Sequence, residues 1–268
     1  MPEGDTVWLT ARRLDQALST RALTVFDLRV PQLATADLRG VTVAEVVARG
    51  KHLLTRFDNT LTLHSHLLMD GMWFLTRSGE RPRRYPDHEI RAQLGNDEWL
   101  ATGYRVHNLE LVPTAEEATL IGHLGPDLLG TDWDLPTALQ RLLADPARTV
   151  GEALLDQRNL AGIGTVYRAE VLFLRGAHPL TPVGQVAELD ALVQLVRRLM
   201  LANRERAQQI TTGDSRRGRE HWVYRRAGEP CRRCGTVVLR GEQGPPGMER
   251  VVFWCPRCQP ESGAALPH

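Results

Sequence analysis

Two residues at the start of the chain carry groups suited to chemistry at an aldehyde-like carbon. Initiator methionine is normally removed ahead of a small residue, so Pro2 is expected to supply the N-terminal group, a secondary amine. An α-amino group titrates near pH ~8, and its uncharged form attacks carbonyl-type carbons to give a Schiff base. Glu3 is placed to move the protons of such a reaction. Taken alone, such residues more often form an ordinary frayed terminus, so the remainder of the chain must decide.

A single lysine, Lys51, stands among 32 arginines. Because this chain uses arginine wherever a positive charge suffices, the lone ammonium indicates a task that a guanidinium cannot perform, as a compact charge or a titratable amine. Lys51 also falls in a segment of strand-like composition, where a merely solvated lysine is less common. We therefore predict a functional role for Lys51; the alternative is a surface lysine retained by chance.

The four cysteines of the chain form two Cys-x2-Cys pairs separated by 20 residues. This spacing is typical of a four-thiolate zinc site on two hairpin knuckles, and outside an oxidising compartment zinc is favoured over two disulfides. Such a site is closed, so one zinc ion per chain would hold the fold together and would not catalyse. Arginines on the same ribbon are natural phosphate contacts. The predicted ligands are Cys231, Cys234, Cys255 and Cys258, and the arginines are Arg232, Arg233 and Arg250.

Two further segments combine turns with residues that could contact a nucleic acid. Gly162 and Gly164 precede a predicted helix, a pattern that can form a backbone-amide cradle for a phosphate; close helix packing is the alternative use of such glycines. The segment from His66 to Gly71 places large apolar side chains beside a turn, where they either complete the edge of a core or form a wedge that enters a base stack. His64 and His66 share one strand face, and a hydrogen-bonded pair is favoured over a metal site because no third ligand is evident.

Hydrophobic periodicity predicts the elements that position these residues. An N-cap pattern at Asp5 and Thr6 opens a helix over residues 6–19, so the chain start lies at the positive end of a helix dipole. Short strands between turns fill residues 23–102 and predict an antiparallel sandwich or barrel. A helical period begins near residue 114, which puts a domain boundary within residues 103–135. The predicted strands are 23–29, 41–48, 52–57, 60–67, 72–76, 89–94 and 98–102, and the later helices are 115–123, 136–144, 149–156, 165–175 and 187–206.

The net charge of the chain is only +1, but the charge is unevenly distributed. Residues 204–258 contain 12 Arg against 6 Asp and Glu, which indicates a phosphate-facing C-terminal module; a solvated surface is the alternative. No apolar run approaches the ~20 residues of a membrane span, and the chain start lacks the pattern of a secretory signal. The expected location is therefore the cytoplasm, in association with the nucleoid.

Short segments spread over residues 2–258 carry a family pattern. They are Pro2-Glu3-Gly4, Gly50 to Leu54, His66 to Gly71, Leu124 to Asp127, Leu155 to Gly164, Gly228 to Cys234 and Phe253 to Cys255. In this order they resemble the formamidopyrimidine-DNA glycosylase/endonuclease VIII family of base-excision repair enzymes. The resemblance implies an α+β protein with an N-terminal β-sandwich that begins with a helix, a helix-two-turn-helix domain and a C-terminal four-cysteine zinc finger.

The resemblance also implies an activity, that of a bifunctional DNA glycosylase and AP lyase. Pro2 would attack C1′ of a damaged nucleotide flipped from the duplex, Glu3 would protonate the opening sugar, and Lys51 would position the lesion or its phosphate. β- and δ-elimination would then cleave the strand on both sides. Met69 matches the residue that fills the vacated stack, and Arg250 matches the finger arginine that grips phosphates beside the lesion. The DNA contacts so implied are Leu68, Met69, Asp70, Gly162, Gly164, Thr165 and Arg250.

Some positions depart from the family pattern. Thr6 stands where a second glutamate is usual, which puts its assistance to base release in doubt, and Thr165 stands where an asparagine phosphate ligand is common. Leu68 and Asp70 flank the predicted wedge without polar or aromatic partners seen elsewhere, which implies loose discrimination of the opposite base.

The Pro-Glu-Gly start is similar to the endonuclease VIII branch of the family, in an actinobacterial subgroup, and this branch prefers oxidised pyrimidines. The short segment 211–224 also leaves little chain to fold over a flipped 8-oxoguanine. One alternative is the same fold acting on oxidised purines such as 8-oxoguanine or formamidopyrimidine. A second is a non-catalytic damage-binding protein, and a third is a zinc-ribbon interaction module, which accounts for residues 228–258 but not for the chain start.

The predicted domains are a catalytic β-sandwich at 1–115, a helix-two-turn-helix domain at 116–220, a zinc finger at 221–260 and a disordered tail at 261–268. Damaged DNA is the expected partner and one structural zinc ion the expected cofactor. The protein is expected to act as a monomer without a membrane.

Overall fold

The computed structural model describes residues 2–80 and 85–261. The chain divides into two compact units, Met1–His123 and Leu124–His268, and each has its own apolar core. The finer domain boundaries stay predictions. Apart from Glu261, the predicted tail lies outside the described residues.

The first unit is an antiparallel β-sandwich that begins with a long helix. Its helices are α1 (Gly4–Leu18) and the short α2 (Glu117–Ile121), and its strands are β1 (Val25–Leu28), β2 (Val43–Arg49), β3 (His52–Phe57), β4 (Leu61–His66), β5 (Met72–Arg77), β6 (Ile90–Gly95), β7 (Trp99–Tyr104) and β8 (Asn108–Pro113). Over the described residues the strands form two four-stranded sheets, ordered β1-β6-β7-β5 and β2-β3-β4-β8. The sequence predicted either a sandwich or a barrel, and two separate sheets make this unit a sandwich.

Helix α1 forms where the apolar period predicted it. Val7, Ala11, Leu14 and Leu18 recur at intervals of three and four residues, and all are buried in the core that the sheets share. The C-terminal end of the helix is bound to the sheet by a polar contact, because the Asp15 carboxylate accepts a hydrogen bond from the Val46 amide at 2.8 Å. The helix is therefore held against β2, and its first turn has a fixed position in this unit.

Strand β8 corrects the predicted end of the β region. The sequence pattern ends the strands at residue 102, whereas β8 pairs antiparallel with β4. β8 lies at the edge of its sheet, so part of the strand faces solvent, including Glu110. It ends in Pro113, a residue that edge strands tolerate. A half-exposed edge strand followed directly by a helical period has a weak apolar signature, which explains the error.

The second unit packs helices around one core and a small finger around another. Its elements are α3 (Leu135–Leu143), α4 (Val150–Leu155), α5 (Thr165–Arg175), α6 (Leu189–Asn203), β9 (Leu239–Gln243) and β10 (Arg250–Trp254). All of the helices predicted in this half are confirmed. Strands β9 and β10 form an antiparallel hairpin that follows the first cysteine pair and precedes the second.

Helix α5 lies at the centre of the second unit. Nine of its 11 residues are buried, because one side packs on the helical core and the other on the finger. Gly176 ends the helix in the left-handed conformation, with φ of 68°, which a glycine adopts without strain. Within residues 2–80 and 85–261, no helix is both long and apolar enough to cross a membrane.

Candidate functional site

The start of the chain is built into the first unit. Pro2 is half-buried directly ahead of α1, and Glu3 is the N-cap residue of that helix and fully buried. The Glu3 carbonyl accepts a hydrogen bond from the Val7 amide at 3.0 Å. A helix N-terminus favours negative charge, so a carboxylate is compatible with this buried position. Pro2 and Glu3 are thus held side by side at a helix end, so the chain start is ordered from Pro2 onward.

Lys51 lies in the turn between two strands, within the gap that the predicted strands 41–48 and 52–57 leave. Arg49 on β2 pairs with His52 on β3, so Gly50 and Lys51 are the two central residues of the hairpin. Gly50 has φ of +58°, a conformation that primed hairpin turns require. The structure extends β2 by one residue beyond its predicted end, to Arg49, which shortens the predicted connection of residues 49–51 to two residues.

A cluster of histidines lies beside Lys51. His52 Nδ1 is 2.8 Å from His64 Nε2, and the rings of His52 and His66 meet edge to face at 5.0 Å. The carboxylate of Glu110 is 3.3 Å from His64 Nδ1, an electrostatic contact without hydrogen-bond geometry. The hydrogen-bonded partner of His64 is thus His52, not His66 as favoured from the sequence. Sequence spacing could not reveal this partner because it lies on the neighbouring strand.

These histidines are neutral near pH 7. Burial, with the neighbouring imidazoles and Lys51, lowers the pKa of His52 to about 3. Burial and the positive charge of Lys51 lower the pKa of His66 to about 4. A neutral His66 can accept a hydrogen bond, and its Nδ1 does so from the Leu68 amide at 3.0 Å. The histidine therefore braces the loop that follows β4.

That loop presents two apolar side chains to solvent. Leu68 is 46% exposed and Met69 is 59% exposed, so neither completes the edge of a core. Leu68 has φ of 51°, a strained value for a leucine, and the His66 acceptor holds it there. A Cβ on Gly71 would lie 2.6 Å from the Leu67 carbonyl oxygen, so only glycine closes this turn.

Arg105 links the same loop to the opposite sheet. Its guanidinium donates to both carboxylate oxygens of Glu89, at 2.9 and 2.7 Å, and lies 3.4 Å from the Asp70 carboxylate. Arg105 itself has φ of 53°. Sequence reasoning missed this residue, since neither its backbone conformation nor its distance from Asp70 leaves a local signal.

The loop between α4 and α5 is the predicted phosphate cradle. Gly162 has φ of +103°, so glycine is required, but its amide donates to Gln157 Oε1 at 2.9 Å and is committed within the loop. Gly164 is the N-cap residue of α5, and Thr165 is its first residue. Asp156 braces the loop from the other side, because it accepts a hydrogen bond from the Arg158 amide at 3.0 Å; the Arg158 guanidinium beside it holds the Asp156 pKa far below its usual range. The positive end of the α5 dipole, at Gly164 and Thr165, favours an anion.

The four cysteines come together as their spacing predicted. They are free thiols, and one sulfur from each lies within 4.8 Å of the other three. The Sγ atoms of Cys234 and Cys255 are 3.4 Å apart, and those of Cys231 and Cys258 are 4.0 Å apart. Hydrogen bonds from Thr236 lower the pKa of Cys234 to about 6. The cluster could hold a metal ion.

The arginines of the finger differ in what they contact. Arg232 donates to the carbonyls of Gly218 and His221, and Arg233 stacks on the Phe173 ring at 4.4 Å. Both guanidiniums thus make contacts within the protein, and their role as phosphate contacts stays a prediction. Arg250 is exposed at the start of β10, and its guanidinium has no ion pair to any other described residue.

The predicted site residues thus fall into two groups. The first unit holds the chain start, Lys51 and the apolar loop; the second holds the amides at the start of α5, the four cysteines and Arg250. Each group is locally ordered by buried polar contacts.

Comparison with known proteins supplies the family context of these groups. A model of the formamidopyrimidine-DNA glycosylase N-terminal domain matches residues 1–105, and a model of the H2TH domain of the same glycosylases matches residues 124–214. Together the two models match most of the chain.

Curated relatives match over nearly their full length. The probable endonuclease 8 2 of Streptomyces coelicolor is 54% identical over 97% of this chain and 94% of its own length. The DNA-(apurinic or apyrimidinic site) lyase Nei2 of Mycolicibacterium smegmatis is 45% identical over 98% of this chain and 100% of its own. Among solved structures, the Lactococcus lactis Fpg in complex with DNA that contains an abasic site aligns with a TM-score of 0.75 at 24% identity, over 97% of this chain and 100% of that one, and so shares the fold.

Proposed function

Because the chain belongs to the formamidopyrimidine-DNA glycosylase/endonuclease VIII family, we propose that it is a bifunctional DNA glycosylase and AP lyase of base-excision repair that acts on oxidised pyrimidines. Pro2 is the nucleophile, Glu3 the proton donor and Lys51 the cation that positions the lesion. The observation that carries this proposal is the position of Pro2 beside the fully buried carboxyl group of Glu3 at the head of α1, in a chain whose relatives are named as endonucleases and lyases. Removal of Met1 would make the Pro2 nitrogen a secondary amine.

The chemistry follows from those groups. The Pro2 nitrogen bonds to C1′ of the nucleotide while the bond from C1′ to the base breaks, and the base leaves with the electron pair and gains a proton. Glu3 protonates the ring oxygen as the sugar opens, which leaves an iminium ion. Loss of a proton from C2′ expels the 3′ phosphate, and a second elimination expels the 5′ phosphate. Water then adds to C1′ of the iminium ion, the bond between C1′ and the Pro2 nitrogen breaks, and the free amine of Pro2 is restored.

The exposed loop after β4 supports a role in opening the base stack. Leu68 and Met69 project from a turn that His66, Gly71 and the Arg105 contact hold in one conformation. An apolar side chain fixed in this way can replace an extruded nucleotide without an added ordering cost. We assign Met69, the more exposed of the two, as the residue that fills the gap.

The amides of Gly164 and Thr165 and the guanidinium of Arg250 form the proposed DNA-backbone contacts. Helix N-termini and arginine are both suited to phosphate oxygens. The structural relative from Lactococcus lactis is a complex with damaged DNA, which supports DNA as the partner. We further propose that the enzyme acts as a monomer in the cytoplasm, in association with the nucleoid.

The cysteine cluster is proposed to bind one zinc ion. Sulfurs at tetrahedral positions ~2.3 Å from zinc are about 3.8 Å apart, and the separations of 3.4 and 4.0 Å in this cluster lie on either side of that value. Four thiolates would fill the coordination sphere, so zinc would stabilise the finger and take no part in the reaction.

Borohydride trapping on duplexes that contain 5-hydroxyuracil, 8-oxoguanine or an abasic site, followed by peptide mapping, tests the proposal. With Met1 removed, the N-terminal amine and Lys51 are the only primary or secondary aliphatic amines encoded in this sequence, so the map identifies the nucleophile. We expect a crosslink at Pro2, strongest with 5-hydroxyuracil. A crosslink at Lys51 would reassign the nucleophile, and a preference for 8-oxoguanine would reassign the substrate to oxidised purines.

Two variants control for the amine. Pro2→Gly retains an N-terminal amine and should trap more weakly, whereas protein that keeps Met1 should not trap at this position. Full activity with Met1 present would refute the mechanism. Binding to every lesion without any trapping would instead identify a non-catalytic damage-binding protein.

A further inference from the structure

Helix α5 carries two charged residues where a charge is unusual. Arg168 and Glu170 lie in the middle of the helix, and both are completely buried. Fully buried arginine and glutamate are rare unless their hydrogen-bonding groups are satisfied. Both make contacts with the segment that carries the finger, and one of these contacts ends beside Arg250.

Arg168 holds the backbone of β10. Its Nη2 donates to the Val251 carbonyl at 2.5 Å, and its Nη1 donates to the Gly151 carbonyl on α4 at 3.5 Å. Val251 directly follows Arg250 in the chain. The buried guanidinium thus joins the two helices that flank the loop of residues 156–164 to the strand that presents Arg250.

Gln243 anchors β9, the other strand of the hairpin, at the position opposite Arg250. Gln243 is paired with Arg250 in the register of β9 and β10, and its side chain is buried. Its Nε2 donates to Thr149 Oγ1 at 2.7 Å and to the Pro179 carbonyl at 3.0 Å. Thr149 is the N-cap residue of α4. A Cβ on Gly151 would lie 2.2 Å from Gln243 Oε1, so the glycine makes room for this amide.

From these contacts we propose that Arg168 and Gln243 are positioning residues, which fix Arg250 relative to the amides at the start of α5 so that both engage the same DNA backbone. Neither residue needs to touch DNA. The backbone of Arg250 is held on both sides by buried hydrogen bonds while its own side chain stays exposed. Two phosphate contacts on one rigid body bind together without the cost of ordering the second. This inference rests on the proposed function, in which Arg250 contacts a phosphate.

Gln243→Met gives the cleanest test because the residue is uncharged and buried. Affinity of the full-length, zinc-loaded protein for a duplex with a tetrahydrofuran abasic analogue is measured over a range of KCl concentrations. Each lost phosphate contact lowers the slope of log K against log salt by about 0.9. Arg250→Ala should lose that amount and bind about tenfold more weakly at moderate salt. Gln243→Met should lose a large part of the same slope, and the double variant should match Arg250→Ala alone.

Arg168→Lys is the second variant, since lysine can donate to Val251 but not to Val251 and Gly151 together; we expect an intermediate loss of slope. Arg175→Met is the matched control. Arg175 lies on the same helix, but its ion pair is with Glu188 and not with β9 or β10, so its substitution should leave the slope unchanged. Zinc content and the thermal midpoint identify any variant that has lost its fold.

The outcomes separate the inference from the function on which it rests. An unchanged slope in Arg250→Ala would refute the phosphate contact itself. A normal loss in Arg250→Ala with no loss in either positioning variant would refute the inference and leave the function standing. Additive losses in the double variant would also refute it, because residues that act only through Arg250 have nothing left to lose once that side chain is removed.

Discussion

Glu170 offers a sharp test of how the finger is attached to α5. Its buried carboxylate receives four hydrogen bonds. Oε1 accepts from the amides of Val223 and Tyr224 at 2.9 and 2.8 Å, and Oε2 accepts from the Trp222 amide at 2.7 Å and from the Thr211 hydroxyl. One side chain therefore satisfies the backbone of residues 222–224 and closes the segment that joins α6 to the finger.

The substitution Glu170→Gln keeps the shape but removes one acceptor. Two donors would then face an amide NH2 group in either orientation of the glutamine. The Thr211 hydroxyl can rotate and accept from that group, but a backbone N–H cannot. One buried amide is left without a partner, at a cost of about 1–3 kcal/mol, and the remaining hydrogen bonds lose their charge assistance. Relief of the buried charge offsets part of this loss, so we expect about 3 kcal/mol of local destabilisation.

Hydrogen exchange measures this cost at the residues concerned. A factor of ten corresponds to about 1.4 kcal/mol, so the amides of residues 222–224 should exchange about 100-fold faster in Glu170→Gln than in the wild type. Thr211→Val is the control; it removes one hydroxyl donor, costs about 1 kcal/mol and should accelerate exchange about fivefold. Exchange at the wild-type rate in Glu170→Gln would show that the carboxylate is not the acceptor for these amides.

Three other predictions follow from the site. Burial lowers the folded-state pKa of His52 to about 3, below its ordinary value, so its contribution to stability is present above pH ~6.5 and is lost on acidification at up to about 1.4 kcal/mol per pH unit. His52→Asn should therefore weaken the pH dependence of the urea unfolding midpoint between pH 7 and pH 5. A midpoint that falls as steeply with pH as in the wild type would contradict this. Met69→Ala should slow base excision about tenfold while cleavage at a preformed abasic site persists. The control Met248→Ala, at a 67% exposed methionine in the finger, should change neither of these two rates. An equal loss of excision and cleavage in Met69→Ala would argue against Met69 as a wedge. Metal analysis should find about one zinc per chain in the wild type and a large loss in Cys258→Ser, and a wild-type protein without zinc would overturn the assignment.

The parts of the molecule that the sequence predicts are those whose physics is local. Cysteine spacing predicts the thiol cluster because Cys-x2-Cys is itself the geometry of a knuckle. Apolar period predicts the helices for the same reason, since it lies within one element. The N-cap pattern at Asp5 and Thr6 places the helix start two residues too late, since α1 begins at Gly4 with Glu3 as its N-cap residue. The catalytic roles of Pro2 and Glu3 remain proposals.

What the sequence does not predict depends on register and long-range contact. His52 approaches His64 only because β3 pairs with β4 in a particular register. Arg105 takes a positive φ without a glycine to mark it. Arg168 reaches a carbonyl 83 residues away, and a lone arginine in a helix gives no indication of such a partner.

The basic finger shows why charge counts alone mislead in this chain. Of the 12 arginines in residues 204–258, some serve the fold: Arg226 donates to the carbonyls of Trp222 and Pro230, Arg232 to two other carbonyls, and Arg233 stacks on Phe173. A guanidinium bound to backbone oxygen retains its charge but has fewer donors to offer a phosphate. The phosphate-binding capacity of the module is therefore smaller than its charge suggests, and it depends on exposed arginines such as Arg250 whose backbone is held in place. That dependence is why an uncharged residue, Gln243, is expected to alter a salt slope.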